Sequence, residues 1–308
     1  MSRVSDEMRR NRARSVMASL ACAVVVLATA QSARAHDADE AALGSLVDAE
    51  LAFARMGLAR GVREAFLANF ADDGIVFEPA PVKLREAWRT RPKPADPLAA
   101  KLEWAPAQAG ISRSHDMGYT TGPSTLTLPG QPPRHGMFFS VWQRNGTGPW
   151  RVVLDAGTST PGVVDFSALG AAPRPQFKGR GRLSMERRKL LDREANRALG
   201  SRGFTPNGYA RLVADDARLH RDNALPVATR SRVAKAAAAS FTRVSWKPID
   251  ARVSAAADMA FTYGSYRETD RSGQVRDGYY AHLWLRDAQG GVATRVRRRA
   301  PHAFALRE

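Results

Sequence analysis

Cysteine is almost absent. The 308-residue chain holds one, Cys22, and it lies inside an N-terminal export signal. A processed protein would have no disulfide, no thiolate nucleophile and no cysteine-based zinc site. Motifs for several reaction classes are also missing. No His, Asp and Glu spacing specifies a metal, no glycine-rich loop is built to cradle phosphate, and there is no GxSxG elbow. We therefore expect no cofactor and no metal. The longest apolar run, Met17 to Ala30, is too short to span a bilayer comfortably.

That run belongs to a secretory pattern. Arg9, Arg10, Arg12 and Arg14 precede it, and Ala33-Arg34-Ala35 follows as a small-x-small cleavage site. Residues 1–35 are read as a signal peptide, which places the protein in the periplasm or outside the cell. A membrane enters this reading only through an uncleaved signal. The formal net charge of +17 is uneven: residues 36–170 carry 13 Lys or Arg against 15 Asp or Glu, and residues 171–308 carry 28 against 13. A basic surface attracts nucleic acid, anionic lipid or acidic ligands. Arginine far outnumbers lysine and alanine is abundant, so compositional bias with solvated charge is the simpler account. No nucleic-acid partner is expected for an exported chain. The run Arg295-Val-Arg-Arg-Arg299 fits either a charged edge strand that blocks pairing or a contact for anionic lipid or polysaccharide.

The chain repeats itself. Asp116-Met-Gly-Tyr-Thr-Thr-Gly122 returns as Asp258-Met-Ala-Phe-Thr-Tyr-Gly264, 142 residues later. Phe70-Ala-Asp-Asp73 answers Val213-Ala-Asp-Asp216, Trp104 answers Trp246, and Trp142 answers Trp284. Leu46, Asp48 and Glu50 align with Leu190, Asp192 and Glu194. A period of that length is a whole domain rather than a solenoid unit. The expected organisation is a first domain over 36–165, a linker over 166–186 rich in Ala, Pro, Gly and Arg, and a second domain over 187–308.

Within the first copy, Leu43, Leu46, Val47, Leu51 and Phe53 form a helical stripe, and Gly61 divides two helices. A short helix is expected near 82–90. From Leu102 onward the pattern is strands, with Asn145-Gly146 as a hairpin turn. Helices followed by antiparallel strands make an α+β fold. A curved sheet with helices over its concave face leaves a pocket.

Phe70-Ala-Asp-Asp73, Phe77-Glu-Pro79, Asp116–Gly122, His135-Gly136, Val141-Trp-Gln-Arg144 and Trp150-Arg-Val-Val-Leu-Asp155 carry a resemblance. Each copy resembles the nuclear-transport-factor-2-like superfamily (SnoaL-like, ketosteroid-isomerase-like), nearest its domain-of-unknown-function branch. The second copy matches more loosely, with Val292 where Trp150 would stand and Arg297 where Asp155 would. The resemblance implies two tandem cone-shaped domains, each a strongly curved, mainly antiparallel sheet with N-terminal helices over a hydrophobic cavity. It implies no reaction, because fold does not fix function.

Residues for such cavities are Glu78, Tyr119, His135 and Asp155 in the first copy and His220, Tyr263, His282 and Arg295 in the second. A carboxylate in an apolar cavity can act as a general base. His220 and His282, replacing Phe77 and Ser140, make the second pocket more polar, and with Arg295 suit an anion. Three functions stay open. One is a non-catalytic binder of a small apolar or mildly polar molecule. Another is a cofactor-free isomerase or lyase working through Glu78 or Asp155 beside Tyr119 or His135. The third is a structural or interaction module whose copies pack through their sheets as a pseudo-dimer, alone or in a homo-oligomer.

Overall fold

A computed structural model describes residues 37–165, 187–192, 194, 204–286 and 292–294. The chain divides into two compact units, Met1–Gly44 and Ser45–Glu308. In the first unit, residues 37–44 are helical. The described residues from 45 onward belong to the second unit. The signal segment 1–35, the linker 166–186 and Arg295 with its basic run lie outside the described residues. Among the described residues, no helix is long and apolar enough to cross a membrane.

Helix α1 covers residues 45–60 of this unit and α2 covers Val62–Asn69. Leu46, Glu50 and Phe53 lie on one face of α1 and are buried, as a 3.6-residue period requires. The break is at Gly61, with φ +90°, where a Cβ would stand 2.3 Å from the Pro97 carbonyl oxygen. Only glycine fits both constraints. There follow β1 (Phe70–Phe77), β2 (Pro81–Lys83), α3 (Leu84–Arg89), β3 (Lys101–Trp104), β4 (Gln108–Ile111), β5 (Met117–Thr127), β6 (Arg134–Gln143) and β7 (Arg151–Ser159). They form a seven-stranded sheet in the order β2-β1-β7-β6-β5-β3, with β4 also paired to β5. Only β1 with β7 is parallel.

The second half continues with helical residues 187–192 (α4), α5 (Pro206–Ala210), β8 (Arg218–Leu219), β9 (Val227–Ala228) and α6 (Arg230–Ser240). Then come β10 (Arg243–Val253), β11 (Met259–Thr269), β12 (Val275–Arg286) and β13 (Val292–Thr294). Strands β10 to β13 make a four-stranded antiparallel sheet in sequence order, and β8 pairs with β9 alone.

The two sheets share one register. Trp104 faces Ser124, and Trp246 faces Tyr266; Ile111 faces Gly118, and Val253 faces Ala260. Thr120 faces Ser140, and Thr262 faces His282. β3 and β4 correspond to the single strand β10, whose register shifts between Pro248 and Asp250. The glycine ending each copy of the repeated heptad is needed at this irregularity. A Cβ at Gly122 would stand 2.0 Å from the Ala105 carbonyl oxygen, and one at Gly264 2.2 Å from that of Lys247.

Side chains alternate across each sheet. Phe138 and Trp142 face the helices, while Phe139 and Val141 face away; on β12, Tyr280 and Trp284 face inward, and Ala281, Leu283 and Leu285 outward. The outward residues of both sheets form a single apolar cluster that includes Met117, Tyr119, Phe139, Met259, Phe261 and Leu283. Burial on both faces explains why these strands read as nearly continuous apolar runs.

The turns that join the sheets exchange hydrogen bonds. The Arg113 amide donates to Asp258 Oδ2 at 3.0 Å, and the Ala255 amide donates to Asp116 Oδ2 at 2.9 Å. Each carboxylate also accepts from its own serine, Ser112 to Asp116 Oδ1 at 3.0 Å and Ser254 to Asp258 Oδ1 at 2.9 Å. His115 and Ala257 have matching φ of 55° and 56°. The first residue of the repeated heptad therefore ties each half to the other.

Candidate functional site

The interior of the first half is organised by an acid that apolar patterning hides. Glu50 is fully buried. Trp104 Nε1 donates to its Oε1 at 2.6 Å, Trp142 Nε1 donates to Oε2 at 2.9 Å, and the Thr120 hydroxyl also donates to Oε2. Burial raises its pKa from 4.5 to about 7. The three donors pull the other way, and the Asp155 charge adds to the rise.

Next to this network is a cavity of about 90 Å³. Phe53 of α1, Phe66 of α2 and Trp88 of α3 form its helical wall, and Phe77, Trp104, Leu126 and Phe138 form its sheet wall. Its polar edge consists of Glu78, Ser124 and Asp155 beside Gly157. Asp155 Oδ2 accepts from the Ser140 hydroxyl at 2.7 Å. Glu78 Oε1 accepts from Trp88 Nε1 at 2.7 Å, and Arg91 grips both Glu78 oxygens at 3.1 and 2.7 Å.

The second half repeats the buried acid with different partners. Glu194 is buried and accepts from Thr262 at 2.7 Å and from the Tyr280 hydroxyl at 2.6 Å; His282 Nδ1 lies 2.7 Å from its Oε1. Trp284 Nε1 donates to Thr262 at 2.8 Å. Around this network, among the described residues, Tyr209, Phe241, Trp246, Tyr266 and Tyr280 belong to one apolar cluster. By register, Tyr266 stands where the first half has Ser124, Glu268 where it has Leu126, and Tyr280 where it has Phe138. The rings of Tyr280 and Trp246 lie 4.3 and 5.6 Å from His282, and Phe204 and Tyr209 close on Trp246 at 5.2 and 5.8 Å. At the level of the first cavity's Ser124, the second half thus carries a hydroxyl-bearing ring.

Of the eight sequence-derived positions, Glu78 and Asp155 line the first cavity. Tyr119 and Tyr263 are corrected: both pack in the layer between the sheets, on the face away from the helices. Strand parity reverses with a one-residue choice of face, and the sequence does not mark that face. His135, at the start of β6, has its Nδ1 3.2 Å from the Thr125 hydroxyl and is not among the cavity-lining residues. Asp155 is thus not brought together with Tyr119 or His135. His282 points inward, against Glu194. His220 is buried, and desolvation together with the Arg218 charge lowers its pKa from 6.5 to about 4. Arg295 lies outside the described residues. Glu50 and Glu194 were not among the sequence-derived positions. The available signal was an acid on the apolar stripe of a helix, between Leu46 and Phe53, repeated in the second copy. Among the described residues, no cluster of three His, Cys, Asp or Glu side chains is placed to hold a metal ion.

No family model matches the chain, and no curated protein does. Several solved structures are similar to it in fold. A ketosteroid isomerase-like protein from Erwinia carotovora atroseptica is 17% identical, with 36% of this chain and 92% of that one covered and a TM-score of 0.29. An NTF2-like superfamily protein from Salmonella enterica serovar Typhimurium is 13% identical over 40% of this chain and 94% of its own, with a TM-score of 0.32. A computationally designed 17-OHP binder is 19% identical over 37% and 90%, with a TM-score of 0.29. The likeness is one of fold, and nothing about ligand or reaction is taken from it.

Proposed function

We propose that this chain is an exported tandem protein of the NTF2-like kind, with signal 1–35 and domains over 36–165 and 187–308. In this reading the first domain holds a small apolar or mildly polar molecule without transforming it, and the second acts as a built-in partner. The observation that carries it is the contrast between the two interiors. The first has a cavity lined by six aromatic residues, and the second carries Tyr266 and Tyr280 at the positions of the cavity-lining Ser124 and Phe138. The constant register and the exchanged Asp116 and Asp258 bonds support descent of both halves from one ancestral domain. An outer sheet face needs cover, and the shared apolar cluster supplies it within one chain.

Copying the second half's residue into the first provides a test. Ser124→Tyr puts a ring into the open cavity. In native mass spectrometry and thermal-shift screens with small aromatic fragments, the unaltered chain binds and Ser124→Tyr does not, with folding preserved. If both proteins bind equally, or neither binds, this reading is wrong.

A second reading has one observation in its favour. Asp155 is a carboxylate at the edge of an apolar cavity, the setting expected of a general base in a cofactor-free isomerase or lyase. Under that reading, Asp155→Asn keeps fragment binding but abolishes exchange of acidic C–H protons of a bound ketone, measured by deuterium uptake. Equal exchange in both proteins removes it.

A further inference from the structure

We propose that the cavity of the first half takes an uncharged aromatic molecule carrying a hydroxyl, a phenol or aryl alcohol, whose oxygen hydrogen-bonds with Ser124. This rests on the cavity being a binding site and specifies what it binds. Ser124 lines the cavity and is 7% exposed. Among the described residues its hydroxyl makes no hydrogen bond, whereas the buried hydroxyls of Thr120, Thr121 and Ser140 on the same sheet each donate to a protein acceptor. The register gives the reason. Ser124 faces Trp104 on β3 and Gly136 on β6. Trp104 Nε1 is committed to Glu50, and Gly136 has no side chain. A hydroxyl held without a partner in an apolar wall costs free energy, and a ligand oxygen removes that cost.

The rest of the lining defines the rest of the ligand. Both carboxylates at the polar edge are already engaged: Arg91 and Trp88 hold Glu78, and the Ser140 hydroxyl donates to Asp155. Neither presents a free charge for a ligand ion to pair with, so an ion there loses its hydration without an equal return. Phe53, Phe66 and Phe138 supply ring faces and edges. A flat ring gains from edge-to-face and offset contacts beyond the area it buries. The second half shows the same pairing built from the chain itself. Tyr266, at the register position of Ser124, is buried and brings a ring and a hydroxyl on one side chain. In the first half the ligand brings both, its oxygen at Ser124 and its ring toward Phe66 and Phe138.

Four ligands of similar size test this on the full chain: 4-methylphenol, p-xylene, benzylammonium and benzoate, titrated at pH 7 by calorimetry and by chemical-shift mapping. We expect 4-methylphenol to bind about tenfold more tightly than either ion, because neither ion finds a counter-charge. Ser124→Ala should weaken 4-methylphenol about fivefold, the size of one hydrogen bond, and leave p-xylene unchanged. It should not lower Tm, since no hydrogen bond within the protein is lost. The assignment is overturned if an ion binds as well as 4-methylphenol, or if Ser124→Ala affects both neutral ligands equally or neither. It is also overturned if Ser124→Ala lowers Tm by several degrees, which would mean that the hydroxyl has a partner in the protein. In each of these cases binding of p-xylene to the unaltered chain leaves the binding reading standing. If none of the four binds or shifts cavity resonances, both fall.

Discussion

At the residue scale the energetics turn on Glu50, a buried carboxyl with three donors. Its pKa rises from 4.5 to about 7 in the fold, so the folded state holds that proton more tightly than the unfolded chain. The associated stability is complete below pH 4.5 and is lost as the pH rises through about 7, on the order of 3 kcal/mol. Glu50→Gln keeps the shape and removes the titration. Urea unfolding at a series of pH values should show the variant gaining on the unaltered protein by that amount between pH 4.5 and pH 8. His220, whose pKa is lowered to about 4, acts in the opposite sense, but it is common to both proteins and cancels in the difference. Parallel curves would mean that Glu50 does not titrate as described. Little of this was legible in the sequence. A helical acid on an apolar stripe reads as an interruption of that stripe, and only the indoles arriving from residues 104 and 142 make it a centre.

At the scale of elements, much more was legible. The Gly61 break, the run of strands and the hairpin at Asn145-Gly146 all follow from local chemistry, because glycine and turn residues act on their own backbone. The repeated heptad was visible too, but its meaning lay across the fold: Asp116 and Asp258 each accept an amide from the other half's turn. Removing one acceptor leaves a specific donor unpaired. In Asp116→Ala the Ala255 amide should lose its hydrogen-exchange protection, and in Asp258→Ala the Arg113 amide should do so. Each variant should cost about 1.5–3 kcal/mol in unfolding free energy, the range for a hydrogen bond to a charged group. Loss of protection confined to the mutated half would contradict the exchange. The faces of the strands were not legible in the same way. With both sides buried, alternation gives no polar side to point outward, so Tyr119 and Tyr263 could not be assigned to a face before the sheets were seen together.

For the whole molecule, we propose one architecture used twice with unequal interiors. The same register, bulge glycine and buried glutamate recur, while Ser124 and Leu126 give way to Tyr266 and Glu268. The repeat matches backbone-setting residues, and those say little about volume, which the side chains between the sheet and the helices decide. Xenon enters empty apolar cavities and little else, so crystals pressurised with xenon test the claim most directly. The account predicts xenon density among Phe66, Leu126 and Phe138 and none beside Tyr266, Tyr280 and His282. No xenon in the first half, or equal occupancy in both, would contradict it.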